Sequence, residues 1–424
     1  METGNVWPRQ LSLANVHSYL CVAVVVGFGT RAEIANHAEL TDGNFSSITM
    51  RPVIGTLRAL PWAGGGGKRR VGEVLCEASW IAPYLDGAPV AACTRYMART
   101  QLERLSTLGY QLMSGYEAKF FVYRNGGDRE LTDRPLFHGG DFASSLIIEE
   151  HAELVYLMAE LLSAAGVDVA AVHIEGSSGQ LEFATGTKFG IESGDQMFTL
   201  KEAVKEIALG RGCQATFMTM PTYGPGFSCG MHFNGSLWTG DKNAFHDPAD
   251  SQRLSAVGRH WTAGLVKHAA ALTALLSPTV NCYRRVHQLL TPNRANCGSD
   301  NRNASFRIVA SSPRTTYVEN RLPSSADNPY VVLAATVAAG VDGLLNHLEP
   351  SSESKDHGDK LPSSLPEALS ALEADKVLCD ALGRQFIRWF STVKSDVEIA
   401  KVNRAKDEGL DDLQVERELY FKFL

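Results

Sequence analysis

The sequence predicts an α+β fold, with a small β-rich unit followed by a larger unit of antiparallel strands interleaved with helices. Three observations carry this. Residues 1–92 are short β-branched or alternating stretches set among glycines and turns. Beyond residue 93, period-two stretches alternate with stretches whose apolar residues recur at helical spacing. At 424 residues, the chain is long enough for two or more domains with substantial cores.

In the first unit, Val22–Val26 is β-branched, and Gly72–Leu75 and Ile81–Leu85 flank turns. Gly64–Gly67 followed by Lys68 invites a phosphate-loop reading, which fails on two counts. Trp62 stands where the first glycine of that loop is needed, and Arg69 where Ser or Thr is needed. A hairpin tip with a basic end is expected instead. Tyr84–Pro89 is a turn, so the boundary is placed after residue 92, giving domains 1–92 and 93–424. The spacing of Leu102, Leu105 and Leu108 predicts a helix over Met97–Leu108, and alternation predicts a strand over Gln111–Tyr123. Further helices are expected at Glu149–Ala165, Leu200–Leu209, Trp261–Leu276, Asn328–Leu344 (buried all round) and Leu365–Val393, with a strand at Val167–His173. Pro350–Pro362 is Ser-rich, charged and aperiodic, and reads as a solvated loop.

Composition narrows the function. Hydrophobic content of 44% and charged content of 21% are those of an ordinary globular protein. A net charge of −7 without a Lys/Arg cluster argues against nucleic acid as a partner. Arginines dispersed among glycines and carboxylates suit a small anionic ligand. The eight cysteines include no CxxC pair and read as free thiols in a reducing compartment. Tyr19–Phe28 is apolar but too short to span a bilayer and lacks a preceding basic run, so no membrane partner and a cytoplasmic location are expected.

The candidate chemistry centres on Gly224–Trp238, where a glycine turn leads into Met231-His232 and an alternating aromatic strand. Alone, His232 has an ordinary reading as a partly buried structural histidine. Glu117 and Lys119 share a strand face, for which a solvated face is the ordinary reading. The segment His173–Glu182 joins two strand ends by a Gly/Ser turn and delivers Glu175 and Glu182 together. Paired carboxylates repel unless a proton or cation lies between them, and all-oxygen sets suit Mg²⁺ or Mn²⁺; two surface carboxylates flanking a hairpin is the equal alternative. Arg302 and Arg307 lie five apart near the ends of a short strand, and Glu319 and Arg321 share a strand face. Such arginines can clamp phosphate or carboxylate bidentately.

Together these residues resemble the glutamine synthetase family, in particular its non-catalytic vertebrate-lens branch. The matching pieces run in family order over about residues 50–424: Thr56–Trp62, Asp86–Pro89, Gly115-Tyr116-Glu117, Glu175 with Gly179–Glu182, Phe198–Lys201, Gly230-Met231-His232 with Ser236–Trp238, Asn301-Arg302 with Ser305–Arg307, Val318–Arg321 and Asn328–Tyr330. The resemblance implies a β-grasp-like N-terminal domain and a glutamine synthetase catalytic-type domain. It implies ATP and Mg²⁺ or Mn²⁺ as cofactors, and phosphorylation of the glutamate γ-carboxylate before ammonia displaces phosphate. Glu117, His232 and Glu319 would hold the nucleotide-side metal, and Glu175 and Glu182 the other. Arg302 and Arg307 would meet phosphate, with Arg285 and Arg321 on the substrate carboxylates. Rings of five or six subunits, stacked in pairs, are implied, with cytoskeletal proteins as further partners.

The departures fall on the glutamate and ammonia side. Lys119 stands where the family carries a second Glu of a Glu-x-Glu pair, an ammonium that would repel the cation or replace it between Glu175 and Glu182. Val286–Thr291 has no carboxylate where a flap Glu is expected, and Phe227-Ser228 replaces an Asn-Gly. Tyr317 stands for an Arg, Asn234 for a His, and Val53 for an Asp. These changes imply a structural or chaperone-like protein without glutamine synthetase activity. The alternatives are an active glutamate–ammonia or glutamate–amine ligase, and a relic that binds ATP without transfer.

Overall fold

The computed structural model describes residues 19–21, 47–64, 70–80, 87–125, 134–139, 142–223, 228–250, 253–286, 288, 290–350 and 358–424. Strands β1 (Tyr19–Cys21), β2 (Ser47–Pro52) and β3 (Cys76–Trp80) form an antiparallel sheet in that order. The expected Val22–Val26 and Ile81–Leu85 stretches and most of the glycine tip lie outside the described residues. Ile48, Ala78, Val90 and Cys93 pack with Trp389, so the far end of the chain closes the core of this first sheet.

The chain continues with helix α1 (Thr94–Thr107) and strand β4 (Gln111–Arg124), then helices α2 (Ser145–Glu150) and α3 (Ala152–Ala164). Strands β5 (Val169–Ile174) and β6 (Gln180–Thr185), helix α4 (Glu192–Gly210), and strands β7 (Cys213–Thr216) and β8 (Met231–Thr239) follow. Next come α5 (Ala256–Lys267), α6 (Ala269–Leu276), β9 (Cys297–Ser299), β10 (Phe306–Ala310) and β11 (Thr316–Asn320). Helices α7 (Pro329–Leu345), α8 (Leu365–Ala374), α9 (Lys376–Leu382) and α10 (Arg384–Thr392) complete the expected set. A π-helical turn (Val393–Ile399), α11 (Ala400–Asp407) and α12 (Asp412–Tyr420) extend beyond it.

The main sheet runs β9-β10-β11-β8-β4-β6-β5, with β7 on the far end of β4. Neighbours are antiparallel except β9 and β10. This is the α+β architecture the periodicities predict.

Helix boundaries moved where capping and tertiary pairing outweigh periodicity. Helix α4 begins eight residues before the expected Leu200 because Asp195 is buried against Arg95 (2.9 Å) and Tyr330 (2.6 Å), which turns a polar stretch into core. The expected Glu149–Ala165 helix divides at His151, and Leu365–Val393 divides at Asp375, which caps α9, and at Gly383, whose φ is 97°. The Trp261–Leu276 helix starts earlier, capped by Ser255, and divides at His268. Helix α7, capped by Asn328 with Pro329 at its first turn, is buried almost throughout. It crosses α5 so closely that a methyl on Gly264 or Gly343 would overlap the other helix's backbone.

His268 turns its break into a joint. Its Nδ1 lies 2.6 Å from Asp375 and its Nε2 3.0 Å from Asp342, which also meets Lys267 at 2.7 Å. Burial alone would lower the His268 pKa, but the two carboxylates raise it; burial would raise Asp342 and Asp375, and the same contacts lower them. The raised imidazole stabilises the fold fully below its unfolded value, about 6.5, and less as pH rises through its folded value. The lowered carboxylates contribute above about 3.9 and lose this as pH falls. The joint is therefore strongest between about pH 4 and 6.5, and His268→Ala is expected to cost about 3 kcal/mol there and less at pH 8.5. Urea unfolding at pH 6 and 8.5 measures this, and a pH-independent loss contradicts it.

Candidate functional site

Cross-strand register places one row of charges on one face of the main sheet. Arg307 is opposite Glu319, Glu319 opposite Asn234, and His232 opposite Glu117. Lys119 is opposite Glu182, and Glu182 opposite His173. Directly paired residues share a face, so the row follows from pairing alone. It divides into two clusters that hang from β4 two residues apart.

In the first, His232 Nδ1 lies 3.2 Å from Glu117 Oε2 and 3.0 Å from Glu319 Oε1. Arg321 Nη1 meets Glu319 Oε1 at 2.7 Å, and Arg307 Nη1 meets its Oε2 at 3.1 Å. Burial would raise the Glu319 pKa, but His232, Arg321 and Arg307 hold it well below the usual carboxylate range. Burial would lower His232, and hydrogen bonding to Glu117 and Glu319 outweighs it and raises the imidazole. Asn234 Nδ2 donates to Glu117 Oε1 at 2.8 Å, while its own Oδ1 is buried without a donor. Glu117, His232 and Glu319 offer ligand atoms within 4.8 Å of one another. Two carboxylates and an imidazole make a donor set that fits Mg²⁺ or Mn²⁺.

The second cluster has a different occupant. Lys119 Nζ lies 3.0 Å from Glu175 Oε2 and 3.2 Å from Glu182 Oε2. His173 Nε2 lies 2.8 Å from Glu182 Oε1, and its Nδ1 3.6 Å from Glu175 Oε1. Burial would lower the Lys119 pKa, but the two carboxylates raise it, so the ammonium stays charged. Burial would raise Glu182, yet His173 and Lys119 bring it down to about 2. The His173, Glu175 and Glu182 ligand atoms also converge within 4.8 Å, but both carboxylates already carry the Lys119 ammonium. The solvated face expected for Glu117 and Lys119 is not what forms: the Lys119 side chain keeps only 17% of its exposure.

The arginines are placed unevenly. Arg285 is buried, donating to the Pro323 carbonyl at 3.1 Å and to that of Arg321 at 3.4 Å; burial lowers its pKa. Its Nε and that of Arg321 are buried without an acceptor. Arg307 also pairs with the exposed Asp300. Arg302 does not flank the strand as expected; it lies in the turn before β10 and is exposed. His173 is the residue that sequence reasoning passed over. Its spacing of two from Glu175 in a strand would have put both on one face. Phe227, His287 and Leu289 lie outside the described residues. Ser228 contributes a carbonyl to Gln180 at 3.3 Å.

Residues 91–409 match the family model described as glutamine synthetase, catalytic domain. A glutamine synthetase of Thermotoga maritima is 35% identical over 359 residues, covering 81% of this chain and 80% of that one. Rat lengsin is 31% identical over 373 residues, 85% of this chain, which spans 63% of that relative's length. Two solved structures, GmaS without ligand and GmaS in an ADP complex, align with TM-scores of 0.74 and 0.75 at 26% identity, covering 88% of this chain and 85% of each.

Removing the ammonium leaves two buried carboxylates face to face. Lys119→Met is expected to cost about 3 kcal/mol at pH 7.5. The loss should shrink by pH 5, because a carboxylate freed of its cation titrates higher and takes up a proton. Urea unfolding at both pH values tests this, and an equal loss at both contradicts it.

Proposed function

We propose that this chain, which belongs to the glutamine synthetase family, keeps a cation site of the nucleotide type but does not make glutamine, and serves as a structural or chaperone-like cytoplasmic protein. One observation carries the reading: the Lys119 ammonium within 3.2 Å of both Glu175 and Glu182. A lysine in place of a carboxylate changes the local charge by two units, the change a divalent cation would bring. The glutamate-side cluster is thereby neutralised without an ion, and an ammonium on two carboxylates is a poor Lewis acid for a γ-carboxylate or a transferring phosphoryl group. Loss of one such contact removes about 3 kcal/mol of transition-state stabilisation. The flap segment Val286–Thr291 also lacks a carboxylate to receive ammonium.

In this reading Glu117, His232 and Glu319 would hold Mg²⁺ or Mn²⁺, which would supply positive charge for nucleotide phosphates; Arg302 and Arg307 would meet those phosphates, and Arg285 and Arg321 a carboxylate. The proposal includes a division near residue 92 into a β-grasp-like and a catalytic-type domain, closed rings of five or six subunits, and cytoskeletal partners. Among the described residues no helix is long and apolar enough to cross a membrane. The second reading, an active ATP-dependent glutamate–ammonia or glutamate–amine ligase, is favoured by the intact Glu117–His232–Glu319 cluster.

A phosphate-release assay with ATP, Mn²⁺, glutamate and either ammonia or methylamine separates the two. No release above the ATP-only rate is expected; release that requires both glutamate and amine establishes the ligase. Lys119→Glu is expected to create a second Mn²⁺ site and raise total Mn²⁺ uptake, whereas His232→Ala, which removes a ligand, should weaken the existing site by more than the roughly 10- to 100-fold that loss of an outer-shell partner costs. Unchanged Mn²⁺ binding in both variants overturns the metal assignments.

A further inference from the structure

We infer that helix α12 is a clasp that positions Arg285 from outside the site, with Glu416 as its main positioning residue. This role does not depend on which ligand the site takes. Arg285 ends a 3₁₀ turn, Val280–Arg285. Its neighbour Arg284 points the other way, to α12, where Nε meets Glu416 Oε2 at 2.7 Å and Nη2 meets Glu416 Oε1 at 2.9 Å. Asn281, also in the turn, donates to Glu416 Oε2 at 2.7 Å. A bidentate guanidinium and the Asn281 amide on one carboxylate tether the turn that ends in Arg285 to the helix at two of its residues.

The same helix holds a second segment. Arg417 donates to the Pro221 carbonyl at 2.6 Å, and the Tyr223 hydroxyl lies 2.8 Å from both Asp411 and Asp412. Asp412 also meets Arg284 at 2.9 Å. Asn281 joins the two segments by accepting from Met220 N at 2.7 Å and donating to Met220 O at 2.9 Å. Met220–Tyr223 and Val280–Arg285 are thus bound to each other and to one helix. Glu416 is 1% exposed and Arg417 5%. Buried charges of this kind cost several kcal/mol unless fully paired, so the clasp is either closed or strongly destabilised. The family match ends at residue 409, before α12 begins.

Cys282 reports on the clasp without any ligand. It is buried in the Val280–Arg285 turn itself, its Sγ within hydrogen-bond distance of Thr219, which precedes Met220 (3.3 Å), and of Thr279 (3.0 Å) and Ser324 (3.2 Å). Native-state labelling with a thiol reagent, resolved by peptide mass, compares it with the buried Cys213 and Cys297. Loss of one charge-assisted hydrogen bond in Glu416→Gln is expected to speed Cys282 labelling by about tenfold with Cys213 and Cys297 unchanged. Tyr223→Phe, at an exposed side chain whose loss leaves the core intact, should act in the same direction by about threefold. Selective acceleration in either variant supports the clasp. Acceleration of all three cysteines together, or none at Cys282 in both variants, overturns it.

Discussion

Everything at the candidate site depends on the register of β4. This strand carries Glu117 and Lys119 on one face and Tyr116, Ala118 and Phe120 at positions that are fully buried. Tyr116 packs on Phe233 with ring centroids 4.9 Å apart and donates its hydroxyl to the Pro329 carbonyl, while Phe120 lies 5.3 Å from both Phe183 and Phe217. A slip of one residue against either neighbour would put these rings into solvent and the charges into the core, so apolar packing specifies the pairing. The charged row follows from it: one side of β4 offers Glu117 to His232, the other offers Lys119 to Glu182.

The two clusters therefore share a strand and a face but differ in charge balance. On the Glu117 side the carboxylates are answered by an imidazole and two arginines, and an amide oxygen on Asn234 is left over. On the Glu182 side an ammonium answers both carboxylates, with His173 completing the set. A cation can join the first arrangement because three ligand atoms converge there with no ammonium among them. It can enter the second only by displacing the half-buried Lys119 ammonium from both carboxylates.

Much of this was legible in the sequence, for identifiable reasons. The alternation of Gln111–Tyr123 and the unbroken apolar face of Asn328–Leu344 are period signals that burial preserves. The convergence of Glu117, His232 and Glu319 from three strands was reached through family resemblance, since nothing in local spacing joins residues so far apart. What could not be read are features set by distant partners. The first turns of α4 look like a loop until Arg95 and Tyr330 reach Asp195. The division at His268 depends on Asp342 and Asp375, and the π-helical turn lets Glu398 accept from Val280 N at 3.1 Å. Arg302 is not at the end of a strand, as Arg302–Arg307 suggests, because turns occupy residues 302–305 and β10 starts only at Phe306.

In the proposed function Lys119 takes the place of one cation, and Glu117, His232 and Glu319 would hold another. Crystals of the full chain soaked in Mn²⁺, with anomalous diffraction at the manganese edge, test it directly. The account predicts one anomalous peak among Glu117, His232 and Glu319, with Lys119 still between Glu175 and Glu182. A peak between Glu175 and Glu182, with Lys119 displaced, would contradict it.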